Sequence, residues 1–280
     1  MTRLTTGPRR PWNLSIDAKG SIHDDATAND LGFRAGTVAG DIHLEQFGGL
    51  CTEAFGRRWF ETGWISMQFL NPTAHLEPVD AFVDGDGDIR EAGIDTPEGT
   101  GIARGNVGIG DASKSALALK DRRGVDPSTL RMLRDVSPGQ ATDVQRRRPR
   151  GHDQHRRLAA GASTDPLEWY GESSPWGGGI ASPLTTCQLL VAGATDTIAA
   201  SCGDFVGLYG AIEIRWLNGP VLLDAEYEIT GEVLDVADSP KTEVLWFRTR
   251  ATDVARPDAG PVAEVTMMTR LLKASSPRWA

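Results

Sequence analysis

His23 is the residue whose surroundings most invite chemistry. It lies in a loop-rich stretch, residues 15–39, that also carries Asp17, Asp24 and Asp25. A carboxylate and a histidine on one loop suit acid–base work, in which one group activates a water and the other delivers a proton. The plainer alternatives are a histidine that caps the following turn and a surface or capping carboxylate at Asp17. Downstream, Gly36-Thr37-Val38-Ala39-Gly40 forms a small-residue turn that opens an apolar helix. Backbone N–H groups at such a turn have no partner within the helix, so the Ala39 and Gly40 amides are candidate donors to an oxygen that gains negative charge. Asp41, His43, Glu45 and Gln46 fall on the first turn of that helix and form a second set able to activate water. Polar residues are also ordinary there, and Asp41 is a natural partner for the helix dipole.

These groups need elements to hold them. Ile42, Leu44, Phe47, Leu50, Ala54 and Phe55 recur at helical spacing, which predicts one helix from Asp41 to Phe55 with a core-facing stripe. Strands are expected at residues 60–70, 76–83 and 100–109. The alternation Ile65-x-Met67-x-Phe69 marks one buried sheet face. Asp84-Gly85-Asp86-Gly87-Asp88 reads as a hairpin turn, because Ile89 and Asp95 stand where a calcium loop needs glycine and glutamate. The pattern then repeats. Gly178-Gly179-Ile180-Ala181-Ser182 opens a second helix, residues 183–200, with Gly178 and Gly179 as the matching substrate-binding candidates. Ile212-Glu213-Ile214-Arg215-Trp216-Leu217-Asn218-Gly219-Pro220 echoes Ile65-Ser66-Met67-Gln68-Phe69-Leu70-Asn71-Pro72. Order, element type and spacing agree, which indicates an internal duplication. Further strands are expected at 205–217, 223–236, 242–252 and 262–272.

The expected domains are residues 1–110, a connector of 111–165, and residues 166–280. The connector carries a short helix at 127–134 and a dense set of arginines: Arg146, Arg147, Arg148, Arg150, Arg156 and Arg157. It reads as a solvated linker or, alternatively, as a segment that lies over the site and meets substrate phosphates.

A chain of 280 residues with net charge -9 suits a large globular core and argues against nucleic-acid partners. The three cysteines have no C-x-x-C spacing, so neither a disulfide framework nor a structural metal is expected. There is no phosphate-binding loop, no dinucleotide fingerprint and no Ser-His-Asp elbow, and no cofactor is expected. Without an apolar signal core or a spanning run, the expected location is the cytoplasm and no membrane partner is expected.

Ser21-Ile22-His23-Asp24-Asp25-x-x-Ala28, followed by Leu31-Gly32-Phe33 and the Gly36–Gly40 turn, resembles the MaoC-like, R-specific enoyl-CoA hydratase branch of the hotdog fold. Ser174-Pro175-Trp176-Gly177-Gly178-Gly179 resembles the same glycine turn without the acid–histidine loop. The resemblance implies an α+β double hotdog, two units each with a central helix wrapped by an antiparallel sheet. It implies hydration or dehydration of an acyl thioester carried by coenzyme A or an acyl carrier protein. Asp17 and His23 would be the acid–base pair, and the Ala39 and Gly40 amides would hold the thioester carbonyl. Asp17 lies one residue early for the family's aspartate. The alternatives are a thioesterase working from Asp41, His43 and Glu45, which resembles the helix carboxylate of hotdog thioesterases, or a silent acyl-thioester-binding subunit. A monomer of two units or a homodimer fits either.

Overall fold

A computed structural model describes residues 2–280, except the side chains of Gly193, Thr195, Asp196, Thr197 and Ala199. The N-terminal half runs β1 (Arg3–Thr5), α1 (Asp25–Asp30), α2 (Gly40–Leu44), α3 (Phe47–Phe55), α4 (Trp59–Thr62), β2 (Gly63–Phe69), β3 (Asp80–Asp84), β4 (Ile89–Asp95) and β5 (Gly101–Ile109). The rest runs β6 (Gln145–Arg147), α5 (Gly151–Ala159), α6 (Pro183–Cys202), β7 (Gly207–Trp216), β8 (Tyr227–Asp238), β9 (Thr242–Asp253) and β10 (Pro261–Leu272). Among the described residues these strands form one sheet in the order β1-β3-β4-β5-β2-β7-β10-β9-β8-β6.

The duplication is built into that order. Reading outward from the centre, β2, β5, β4, β3 and β1 match β7, β10, β9, β8 and β6. The sequence step that carries Ile65 to Ile212 also carries Ser66 to Glu213, and these two residues face each other in the antiparallel β2–β7 pair. A pseudo-twofold axis therefore passes between Ser66 and Glu213. Alternation does the rest: Ile65, Met67, Ile212 and Ile214 face the helices in the main core.

The helix expected from Asp41 to Phe55 is two helices. Glu45 and Gln46 donate to Ile42 and His43 in tight i→i−3 bonds of 3.3 Å, and Gly48 and Gly49 follow. Glycine propagates a helix poorly. Here it is required, because a Cβ at Gly48 would meet the Tyr170 hydroxyl and one at Gly49 would meet Asp165. The segment 60–70 begins as helix and becomes strand only at Gly63. The strand expected from 76 starts at Asp80, and β1 and β4 escaped the periodicity reading. The acidic run Asp84–Asp88 does join β3 to β4 as a hairpin, and β7, β8, β9 and β10 each fall within a few residues of their expected spans, whereas β6 was not expected.

Residues 111–165 are more than a solvated tether. Leu117 joins Ala211, Trp246 and Met268 in an apolar cluster on the outer face of the sheet. Near the pseudo-axis, Ser115 Oγ donates to Glu213 and the Leu117 N–H donates to Ser66 Oγ at 3.0 Å. The expected helix at 127–134 is a single 3-10 turn, residues 127–129. The amides of Arg131, Met132 and Leu133 that follow all donate to the Glu243 carboxylate, within 3.1 Å. Strand β6 and helix α5 also lie in this segment, so the second unit takes its edge strand from it.

Candidate functional site

The candidate site is a cavity of about 770 Å³ between the two halves. Ile22, His23, Thr37–Gly40, His43 and Phe69–Thr73 supply one wall. Residues of the C-terminal half supply the other, chiefly Ile198, Cys202, Tyr209, Leu245, Phe247 and Leu271. That second wall is largely apolar, with Tyr209, Lys241, Thr242, Thr269 and Arg270 as its polar members, and the histidine loop and glycine turn add polar groups from the other side.

Loop and turn are fastened together residue by residue. The Thr37 N–H donates to Ile22 O at 3.0 Å, and Gly36 N–H donates to Asp25 Oδ1 at 2.7 Å. Gly36 must be glycine because a Cβ there would run into the His23 carbonyl oxygen. The buried Asn13, which the sequence reading passed over, donates from Nδ2 to His23 O at 2.8 Å. Asp24 caps α1, accepting from Thr27 Oγ1 at 2.7 Å and from the Thr27 N–H, and these bonds hold its carboxyl below the usual range. Thus Asp24 and Asp25 fix the loop.

His23 Nδ1 lies 2.7 Å from Thr37 O. A carbonyl oxygen only accepts, so Nδ1 carries the proton and Nε2 of the neutral ring keeps its lone pair. Ala39 and Gly40 line the cavity beside it, and among the described residues their N–H groups have no hydrogen-bond partner. Gly40 packs flat against Phe69: a Cβ would lie 2.6 Å from the ring.

Asp17 is not brought to this site. Its side chain is exposed on a turn and does not line the cavity. The loop is anchored by Asn13 and Ser21 rather than folded inward around Asp17.

The helical set divides. His43 lines the cavity; Asp41 and Glu45 are buried and do not. His43 Nε2 lies 2.8 Å from Thr73 Oγ1, and its Nδ1 accepts from Gln46 Nε2 at 3.3 Å. Burial pulls His43 down to about 4, so its ring is neutral at pH 7. Asp41 is pushed up to about 6 by burial, against the Ile42 N–H that its Oδ1 accepts at 3.0 Å. Glu45 is likewise pushed up by burial, with the Arg157 guanidinium opposing. Arg157, assigned by sequence to a solvated run, is buried between the helices and donates to Thr185 Oγ1 at 2.9 Å. None of the connector's arginines lines the cavity.

Gly178 and Gly179 do not line the cavity either. A Cβ at Gly179 would strike the Gly171 carbonyl, and Ile180 N–H donates to Trp169 O at 2.9 Å, so this turn is packed shut. Helix α6 begins after it, with Ser182 as the N-cap and Pro183 first. Around this turn Phe60 packs against Trp169, Tyr170, Trp176 and Trp216, with ring centroids 5.4–6.3 Å apart. The aromatic run Trp169-Tyr170 and Trp176 was the sequence signal for this filled counterpart.

The three cysteines are free and buried. Among the described residues no group of three His, Cys, Asp or Glu is placed to hold a metal ion, and no helix is long and apolar enough to cross a membrane.

No protein-family model and no curated protein matches the sequence. Solved structures do match. A protein provisionally described as a MaoC domain dehydratase, from Chloroflexus aurantiacus J-10-fl, aligns at 13% identity over 97% of this chain and 94% of its own, with a TM-score of 0.65. A conserved hypothetical protein from Mycobacterium tuberculosis with a double hotdog fold aligns at 12% identity over 96% of this chain and 95% of its own, TM-score 0.60. A MaoC-like dehydratase aligns at 14% identity over 96% and 97%, TM-score 0.53. With two central helical elements laid on one antiparallel sheet along its whole length, the chain has the double hotdog fold, the fold of the MaoC-like structures it resembles.

Proposed function

We propose that this protein adds water to, or removes it from, an enoyl or 3-hydroxyacyl thioester carried by coenzyme A or an acyl carrier protein. The observation that carries the reading is His23, its Nδ1 bonded to Thr37 O at 2.7 Å, on the wall of an apolar cavity that also exposes Ala39 and Gly40. The apolar wall takes the acyl chain. The Ala39 and Gly40 amides hold the thioester oxygen, on which negative charge develops as water adds. In hydration, His23 Nε2 takes a proton from water as its oxygen bonds to C3. The double-bond electrons move toward the thioester oxygen, and the imidazolium then returns the proton to C2. One histidine thus serves as base and acid in turn, and the water's atoms all end in the product. Asp17, exposed and outside the cavity, has no part in this scheme.

The thioesterase alternative is weakened by the burial of Asp41 and Glu45 away from the cavity, where neither can present a water to the substrate. The test follows enoyl absorbance and free thiol together on one enoyl thioester. Loss of absorbance without thiol supports the proposal; thiol release without hydration replaces it with the thioesterase, and neither reaction with retained binding leaves a silent binder.

A further inference from the structure

The C-terminal half brings Tyr209 into its cavity wall beside Thr242, Thr269, Lys241 and Arg270, and a break in strand alternation delivers the phenol. In β7, Ile212, Ile214 and Trp216 belong to the main core under the helices, whereas Ala211 belongs to the cluster on the outer face. Strict alternation from Ile212 would turn Leu208 and Gly210 inward and Tyr209 outward. The register against β10 shows otherwise. Ala211 faces Met268 and the next pair is Tyr209 with Thr269, so Gly210 is an extra residue in the ladder. A Cβ on Gly210 would collide with Met268 Cε and lie 2.8 Å from Arg270 Nε. Met268 belongs to the outer cluster, so the empty position of Gly210 points outward with Ala211. The bulge reverses the parity of what precedes it, and Tyr209 turns inward to pack on the core and line the cavity. Bulges beside sites commonly re-aim one side chain in this way.

Three further features fit a ligand contact. Among the described residues the Tyr209 hydroxyl has no hydrogen-bond partner. Burial pushes the phenol well above its ordinary range, with the nearby Asp41 carboxylate acting in the same direction, so the group remains an O–H donor at any working pH. Helix α2, which begins at Gly40, packs against β7, so the strand that carries Tyr209 runs beside the glycine turn.

We propose that Tyr209 is a substrate-binding residue whose O–H donates to an acceptor oxygen at the reacting end of the acyl group, the thioester carbonyl or the 3-hydroxyl. This rests on the acyl-thioester reading above. It makes the site two-sided, with base and amides from the N-terminal half and a phenol from the C-terminal half.

Calorimetry with three inert pantetheine conjugates tests it: a dodecyl thioether with neither oxygen, a dodecanoyl amide with the carbonyl alone, and a 3-hydroxydodecanoyl amide with both. Tyr209→Phe removes only the hydroxyl, and with no internal bond lost its thermal midpoint should match wild type. The expected result is an unchanged Kd for the thioether and about fivefold weaker binding of an oxygen-bearing conjugate, the usual size of one hydrogen bond. A loss shared by both amides assigns the phenol to the carbonyl, and a loss confined to the hydroxylated amide assigns it to the 3-hydroxyl. Equal change in all three conjugates, including none, overturns the assignment. Failure of wild type to bind any of them would remove the acyl-thioester reading first, and this inference with it.

Discussion

The Nδ1 atom of His23 is bonded to the carbonyl oxygen of Thr37 at 2.7 Å, and that one contact joins the histidine loop to the glycine turn. It selects the tautomer with a free Nε2, and it holds that nitrogen at a set distance from the Ala39 and Gly40 amides. The proposed base and the proposed carbonyl donors are therefore placed by the same few residues.

Gly36 and Gly40 sit at either side of this contact and should respond differently to a methyl group. In Gly36→Ala the Cβ meets the His23 carbonyl, backbone that cannot move without moving the histidine. Hydration should fall at least tenfold, and stability by about 1–3 kcal/mol, the usual cost of overpacking. In Gly40→Ala the Cβ meets the Phe69 ring 2.6 Å away. A smaller side chain can relieve that, so Gly40→Ala with Phe69→Leu should regain most activity. Turnover and thermal midpoints of the three variants check both statements.

His43 and Asp41 should give opposed pH slopes of stability. His43 is pulled from 6.5 down to about 4 by burial, so the unfolded chain takes its proton first. Its stability is present above 6.5 and lost as pH falls toward 4. Asp41 is pushed from 3.8 up to about 6, so the folded chain takes its proton first. Its stability is present below 3.8 and lost as pH rises through 6. The two windows overlap between about 4 and 6. Each slope is at most about 1.4 kcal/mol per pH unit. In urea denaturation across that window, His43→Gln should gain stability relative to wild type as pH falls, and Asp41→Asn should lose it. Parallel curves for all three proteins would refute the shifts.

Arg146, Arg147 and Arg148 should matter little to substrate. Arg146 and Arg148 are exposed and pair loosely with Glu228 at 3.9 Å and Glu226 at 3.7 Å, on the far edge of the sheet. Arg147 donates to Gln145 Oε1 at 2.6 Å. Replacing all three by glutamine should leave thioester affinity within about twofold, since solvated pairs contribute little. A tenfold loss relieved by added salt would instead put the connector over a phosphate.

Glu45→Gln should behave as a core substitution. The carboxyl is buried, its Oε2 has no partner among the described residues, and it is pushed toward its neutral form. Hydration should stay within about threefold of wild type, where a general base would cost about a hundredfold or more.

Much of the fold was legible because repetition is a long-range signal. Ile65–Leu70 and Ile212–Leu217 share a spelling, and the structure pairs their strands across a pseudo-axis. The second half was read closely because its strands are long and β-branched. Other features depend on partners distant in sequence. The helix break at Glu45–Gln46 is followed by Gly48 packed on Tyr170 and Gly49 packed on Asp165. Burial of Arg157 depends on the opposing helix, so a charge run looked solvated. At the candidate site, His23 and the Gly36–Gly40 turn could be read from local spacing. The exposure of Asp17 could not, because it depends on how Asn13 and Ser21 anchor the loop. Tyr209 was hidden by the bulge at Gly210, which strict alternation hides.

The most direct measurement is turnover of an enoyl thioester by His23→Ala, with affinity for the dodecanoyl amide measured on the same preparation. If Nε2 moves the proton, turnover should drop about a hundredfold or more. The amide should still bind as in wild type, because the Ala39 and Gly40 donors and the apolar wall remain. Full hydration by His23→Ala would contradict the account.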